Sequence, residues 1–210
     1  MIHASWRAVT RLGAVGPDDA LAQRFGSFGR GSCLAFPPGA VFGERWIRIG
    51  TDTLIGPHVT LSAGMAPGQQ MVTDPVVRVG NRCMIGRGSH IVGHLSIEIG
   101  DDVWTGPYVY VTDQNHGYTD IDIPIGRQWP AAEAAVTIGA GSWLAAGAVV
   151  LPGTTIGEHV VVAAGSVVRG VIPDRCVIAG APARVVRWYD ADSGEWVSGP
   201  HPSELSPLAR

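Results

Sequence analysis

The first stretch of this sequence that could do chemistry is a histidine with amide and carboxylate neighbours. Asp113-Gln114-Asn115-His116-Gly117-Tyr118 opens a segment that runs to Ala135 and carries Pro124, Gly126 and Pro130. An imidazole titrates near neutral pH, so it can take a proton from a hydroxyl or amine that is otherwise a poor nucleophile. Asn115 and Asp113 could orient the ring or its loop, although both are also ordinary turn residues. A histidine that merely caps a turn is the alternative. A second pair, His90 and His94, stands in His90-Ile91-Val92-Gly93-His94.

What must position these residues is visible between Val136 and Pro173. Every sixth residue there is aliphatic: Ile138, Leu144, Val150, Ile156, Val162 and Val168. Four residues further on in each hexad stand Ser142, Ala148, Thr154, Val160, Ser166 and Ile172, small or β-branched. A step of six smears around a helix with 3.6 residues per turn, so no helix fits. A short strand and a bend per hexad does fit, with Gly141, Gly147, Gly153 and Gly165 supplying bends. Three hexads close a triangular coil of about 18 residues, and coils stack at roughly 4.8 Å. The spacing predicts an all-β parallel solenoid with aliphatic interior columns; it does not give the hand.

The repeat runs from about Phe36 through Phe42, Ile49, Ile55 and Leu61, then resumes at Val79, Ile85, Ile91 and Ile97. It slips by two residues to Ile99 before Thr105 and Val111. The reading is an N-terminal cap at 1–30, a solenoid at 31–187 with loops at 65–77 and 113–135, and a C-terminal tail at 188–210. Gly16-Pro17-Asp18-Asp19 predicts a helix start, with Ala20, Leu21 and Phe25 as the apolar face of a helix ending near Gly26. Glu195-Trp196-Val197 is expected to pack back, and the residues from about His201 to be mobile. A long loop that interrupts a continuing repeat is often functional, and His116 is the one histidine of seven inside it.

Composition narrows the class. The chain has 210 residues, 46% of them hydrophobic and 16% charged, enough for one well-buried core or at most two domains. A net charge of -3 gives no reason to expect nucleic acid or an anionic membrane as partner. Cys33, Cys83 and Cys176 read as small core residues, with no CxxC pair to suggest zinc. No uninterrupted apolar run marks a signal peptide or membrane span, so the expected compartment is the reducing cytoplasm.

The hexads, Asn115-His116-Gly117-Tyr118, and Gly180-Ala181-Pro182-Ala183-Arg184 before Val185-Val186-Arg187 resemble the hexapeptide-repeat acyltransferases, notably the maltose and galactoside type of sugar O-acetyltransferase. The likeness covers roughly residues 32–187 and is strongest from Ile99 onward. It implies a left-handed parallel β-helix, a homotrimer with active sites between subunits, acetyl-CoA as acyl donor, a small-molecule acceptor and no metal. His116 falls at the family's catalytic histidine, and Gln128 lies near a glutamate that galactoside enzymes carry beside it. Arg184 and Arg187 match basic positions that hold the donor, and Arg169 adjoins Gly170, where the family usually has lysine. Guanidinium groups pair well with the phosphates of coenzyme A, although a solvated C-terminal pair is the alternative. Ala146 and Ala164, with Ala145 and Ala163, would let a narrow pantetheine arm lie along the coil edge beside Trp143; plain packing explains them equally.

One departure stands out. Where galactoside enzymes hold the sugar with an aspartate, this sequence has His90-Ile91-Val92-Gly93-His94. The acceptor site therefore differs, with His90, His94 and Tyr118 as its candidates. Amine acylation, a zinc enzyme resembling the carbonic anhydrases built on the same β-helix, and a non-catalytic assembly module are the rival readings.

Overall fold

A computed structural model describes residues 2–201, and in it the hexads become short strands separated by bends. The strands collect into three parallel sheets, one per side of a three-sided prism. The first face stacks Ser27–Phe28, Ile47–Ile49, Val77–Val79, Ile97–Ile99, Val136–Ile138, Thr155–Ile156 and Val171–Ile172. The second stacks Cys33–Leu34, Leu54–Ile55, Met84–Ile85, Trp104–Thr105, Trp143–Leu144, Val161–Val162 and Cys176–Gly180. The third stacks Val41–Phe42, Thr60–Ala63, His90–Gly93, Tyr110–Thr112, Val149–Val150 and Val167–Val168. The aliphatic residues stand in register, Ile99 between Val79 and Ile138, Ile91 between Leu61 and Val111, and all six are buried.

The small inward residues complete the interior. The Ser142 hydroxyl donates to the Gly157 carbonyl and accepts the Val160 N–H, each at 3.1 Å. Thr105 enters an aliphatic column and accepts the Gly86 N–H at 2.7 Å, so its buried hydroxyl is paired. Cys83 stands at a small inward position two residues before Ile85 and donates to the Gly100 carbonyl at 3.1 Å. Cys33 does not; it is half-buried on the outer side of its strand.

Four details differ from the sequence reading. At the start it is Leu34, not Phe36, that aligns with Ile55, and Val41, not Phe42, that aligns with Leu61. The two-residue slip between Ile97 and Ile99 is a strand with both isoleucines inward and Glu98 outward. The last hexad is shortened at Arg169-Gly170, so Ile172 itself joins Ile156 in the aliphatic column. The helix lies elsewhere: Gly16-Pro17-Asp18-Asp19 makes a turn in which Asp19 Oδ2 accepts the Gly16 N–H, and a single 3-10 turn follows at Ala22–Arg24. Tertiary pairing overrides the helix signals there. Val15 exchanges two 2.9 Å backbone hydrogen bonds with Leu34, and Ala22 and Phe25 are buried over the first coil. The regular helix, α1 (Ile2–Gly13), precedes this base and buries none of its residues.

At the other end the chain leaves the hexad pattern. Ala183–Asp190 turns back antiparallel on Cys176–Gly180, and Glu195–Ser198 pairs with it in turn. His201 lies edge-on to Trp188 at 5.2 Å; the residues after it, read from sequence as mobile, lie outside the described residues.

Candidate active site

Both interruptions of the repeat leave the prism at one corner. One loop follows Thr60–Ala63 and the other follows Tyr110–Thr112, strands that flank His90–Gly93 on the third face. The middle coil turns the same corner through His94, so His94 sits between the two loops.

Asp113 ties this corner together. Its fully buried carboxylate accepts the backbone N–H groups of His94, Leu95 and Ser96, all at 2.8 Å. Its carbonyl accepts the Ala134 N–H at 2.8 Å, and the Asn115 carbonyl accepts that of Ala131 at 2.9 Å, closing the long loop on its own stem. Gln114 adds side-chain bonds to the Ala131 carbonyl and to Glu133 Oε1. Gly117 is required here, because a Cβ would collide with the Trp129 carbonyl.

The corner encloses a cavity of about 280 Å³ lined by Phe42, Gly64, Met65, Val92, His94, Tyr110, Thr112, Gln114, Asn115, His116 and Pro130. His116 is exposed at its wall, and no hydrogen bond within the described residues fixes its ring. A neighbouring cavity of about 330 Å³ shares Met65, His94, Gln114 and Pro130 and extends to Met71 and Trp129. His94 therefore walls both. Its two ring nitrogens are buried and have no hydrogen-bond partner among the described residues. A buried imidazole left so is costly, and a polar ligand or water entering the cavity would relieve it.

The other sequence candidates lie elsewhere. His90 points outward beside Tyr110, ring centroids 6.3 Å apart, and shares neither cavity with His94. Tyr118 is 72% exposed and lines neither. Gln128 braces its own loop: its Nε2 donates to the Asp120 and Ile123 carbonyls at 2.7 Å, and its Oε1 accepts the Asp120 N–H. That leaves its amide no free donor for His116.

Trp143 lies on the second face, half exposed next to Trp104, above a groove also lined by Asp102 and Gly141. Ala146 and Ala164 are exposed one coil apart at the corner that follows this face. Arg184 and Arg187 stand on the returning strand of the same sheet, Arg187 over the Trp196 ring at 5.9 Å. Arg169 sits apart from them, at the loop corner. One side of a coil is about six residues, roughly 15–20 Å at about 3.3 Å per residue. Within one chain, the His116 corner and the Trp143–Arg187 surface are thus different parts of the prism.

The sequence reading gave the first loop no role and missed Phe42, Met65, Tyr110 and Pro130 as cavity walls. The usable signal was phase, since both interruptions follow a third-face strand.

Comparison with known proteins agrees with the repeat. Residues 135–170 match a model described as bacterial transferase hexapeptide (six repeats), and residues 76–112 one described as hexapeptide repeat of succinyl-transferase. The protein named Probable acetyltransferase Rv3034c of Mycobacterium tuberculosis is 36% identical over 143 residues, 68% of this chain and 42% of that one. The chain spans about half the length of the curated relatives it matches. A maltose O-acetyltransferase from Clostridium difficile 630 superposes with a TM-score of 0.51 at 25% identity, covering 88% of this chain and 84% of that one. An N-acyltransferase from Bacillus cereus, AntD, solved with dTDP and 3-hydroxybutyryl-CoA, has a TM-score of 0.66 at 16% identity, covering 85% and 91%; it shares the fold.

Proposed function

This chain belongs to the hexapeptide-repeat transferases with the left-handed parallel β-helix fold, and from that premise we propose that it transfers an acyl group from acetyl-coenzyme A to a hydroxyl of a small acceptor. The observation that carries this reading is His116 at the wall of a cavity where the repeat is broken, its ring without a hydrogen bond among the described residues. In this reading the acceptor occupies that cavity with a hydroxyl against His116 and a polar group against His94.

His116 takes the hydroxyl proton as the oxygen attacks the thioester carbonyl. Backbone N–H groups at the cleft stabilise the tetrahedral oxyanion. As it collapses, the carbon–sulfur bond breaks and the imidazolium returns its proton to the leaving thiolate. No acyl-enzyme forms, so the cysteines take no part in the chemistry. Burial pushes the Cys33 and Cys83 thiols above their ordinary values, which disfavours thiolate at neutral pH. Arg184 and Arg187 would hold the donor phosphates, with its pantetheine arm running past Trp143, Ala146 and Ala164. Because that surface and the His116 corner are separate within one chain, a donor arm reaching His116 is best supplied by a neighbouring subunit, and we assign a homotrimer.

The test is steady-state kinetics after a screen of sugars, amino alcohols and amines as acceptors. His116→Ala should lower kcat by roughly 10²–10⁴-fold with donor affinity unchanged. A variant with near-wild-type kcat removes His116 as the base. A strict preference for amines would replace hydroxyl by amine as the nucleophile.

A further inference from the structure

We propose that α1 is an interfacial anchor that lays the protein on an anionic membrane surface. The helix reads Ile2-His3-Ala4-Ser5-Trp6-Arg7-Ala8-Val9-Thr10-Arg11-Leu12-Gly13. At 100° per residue, Ile2, Trp6, Val9 and Leu12 share one stripe, and His3, Arg7 and Arg11 share the opposite one. Among the described residues nothing covers the apolar stripe: Ile2 is 83% exposed, Trp6 55%, Val9 45% and Leu12 80%. The solenoid base has buried residues of its own in Val15, Ala22 and Phe25, and α1 contributes none to them. The helix is attached at its C-terminal end, where Gly13 lies so close to the Phe36 ring that a Cβ would come within 2.5 Å of it.

Charge identifies the occupant. The helix carries Arg7 and Arg11 and no acidic residue, whereas the whole chain is net -3. An acid-free basic arc opposite an aromatic and aliphatic stripe is complementary to anionic headgroups above an acyl layer. Twelve residues span about 18 Å, short of the roughly 30 Å hydrocarbon core, so the helix lies in the interface and does not cross it. No helix among the described residues is long and apolar enough to cross a membrane. The net charge of the chain, which by itself argues against a membrane partner, hides this local basic surface.

The experiment is co-sedimentation of the full chain with phosphatidylcholine vesicles, with and without phosphatidylglycerol, at low and high salt. The protein should bind the phosphatidylglycerol vesicles at low salt, and each of Arg7→Gln and Arg11→Gln should weaken that about fivefold. Trp6→Glu with Leu12→Glu should abolish binding while the thermal melt is unchanged, because neither side chain is buried. Absence of wild-type binding, or undiminished binding by the double glutamate variant, overturns the proposal. So does a double glutamate variant that binds vesicles as the wild type does but sediments as a smaller species, since a second copy would then be what covers the stripe.

Discussion

Asp113 and His94 are opposite cases of a buried polar side chain. The Asp113 carboxylate accepts three backbone N–H groups, and the His94 ring has no hydrogen-bond partner among the described residues. Asp113→Ala would leave three backbone N–H groups without their acceptor at a buried corner, which should cost about 2–4 kcal/mol by denaturant titration. A variant within about 0.5 kcal/mol of wild type would mean that water replaces the carboxylate. His94→Phe predicts a different split. Removing an unpaired imidazole should leave stability unchanged or raise it, while acceptor KM rises about tenfold or more, the loss of one good hydrogen bond. Unchanged acceptor KM would make His94 a wall and nothing more. The place of His116 beside the loop corner was legible in the sequence, because its segment breaks a repeat that had no need to break. The pairing of Asp113 with the 94–96 backbone was not, since it joins two coils through main-chain donors that carry no sequence signature.

At the scale of elements, the corner after the first face is laced by a ladder. Asn81 Oδ1 accepts the Thr51 N–H at 2.8 Å, and Asp101 Oδ1 accepts the Asn81 N–H at 2.8 Å as well as its Nδ2 at 3.0 Å. The Asn81 hydrogen bonds, side chain before backbone, hold the Asp101 carboxyl below its ordinary value, and Arg82 adds to this. A lowered folded pKa stabilises the fold above the ordinary carboxylate range, and that contribution is lost as pH falls through the lowered value. Asp101→Asn should therefore lower stability near neutrality, and the gap in Tm to wild type should close as pH falls through that lowered value. A gap that widens on acidification would contradict this. At the far end of the second face, Arg184→Ala with Arg187→Ala should weaken coenzyme A binding by about 1–3 kcal/mol per lost contact, read by calorimetry. Unchanged affinity would leave the cation–π contact with Trp196 as the role of Arg187. Elements were legible where the hexad recurs. They were not at 16–26, where proline and acids resemble a helix start but Val15, Ala22 and Phe25 are claimed by the first coil, nor at Arg169-Gly170, where two residues turn a corner that elsewhere takes more.

At the scale of the molecule, the three faces of the prism differ in what they present. Along the first, the outward residues are Ser27, Arg48, Arg78, Glu98, Thr137 and Thr155, a polar column that ends at Val171. Along the second they are Leu54, Met84, Trp104, Trp143, Val161 and Val177, an apolar column with Trp104 54% exposed. A continuous apolar column on one side of a rigid prism calls for a partner, and cyclic repetition about a threefold axis would cover it in every copy. The separation of the His116 corner from the proposed donor surface asks for the same arrangement. Sedimentation should accordingly give three times the 22.0 kDa chain mass, and Trp104→Arg should dissociate the assembly and abolish activity although it lies on another face from His116. The sharper test is complementation. His116→Ala and the Arg184→Ala, Arg187→Ala double variant are each prepared, mixed in equal amounts and allowed to exchange subunits. If each site takes its base from one subunit and its donor clamp from the next, about a quarter of the sites in random trimers carry neither lesion, and activity returns to that order. If base and clamp act within one chain, every site keeps a lesion and mixing restores nothing, a result that would return the whole reaction to a single prism.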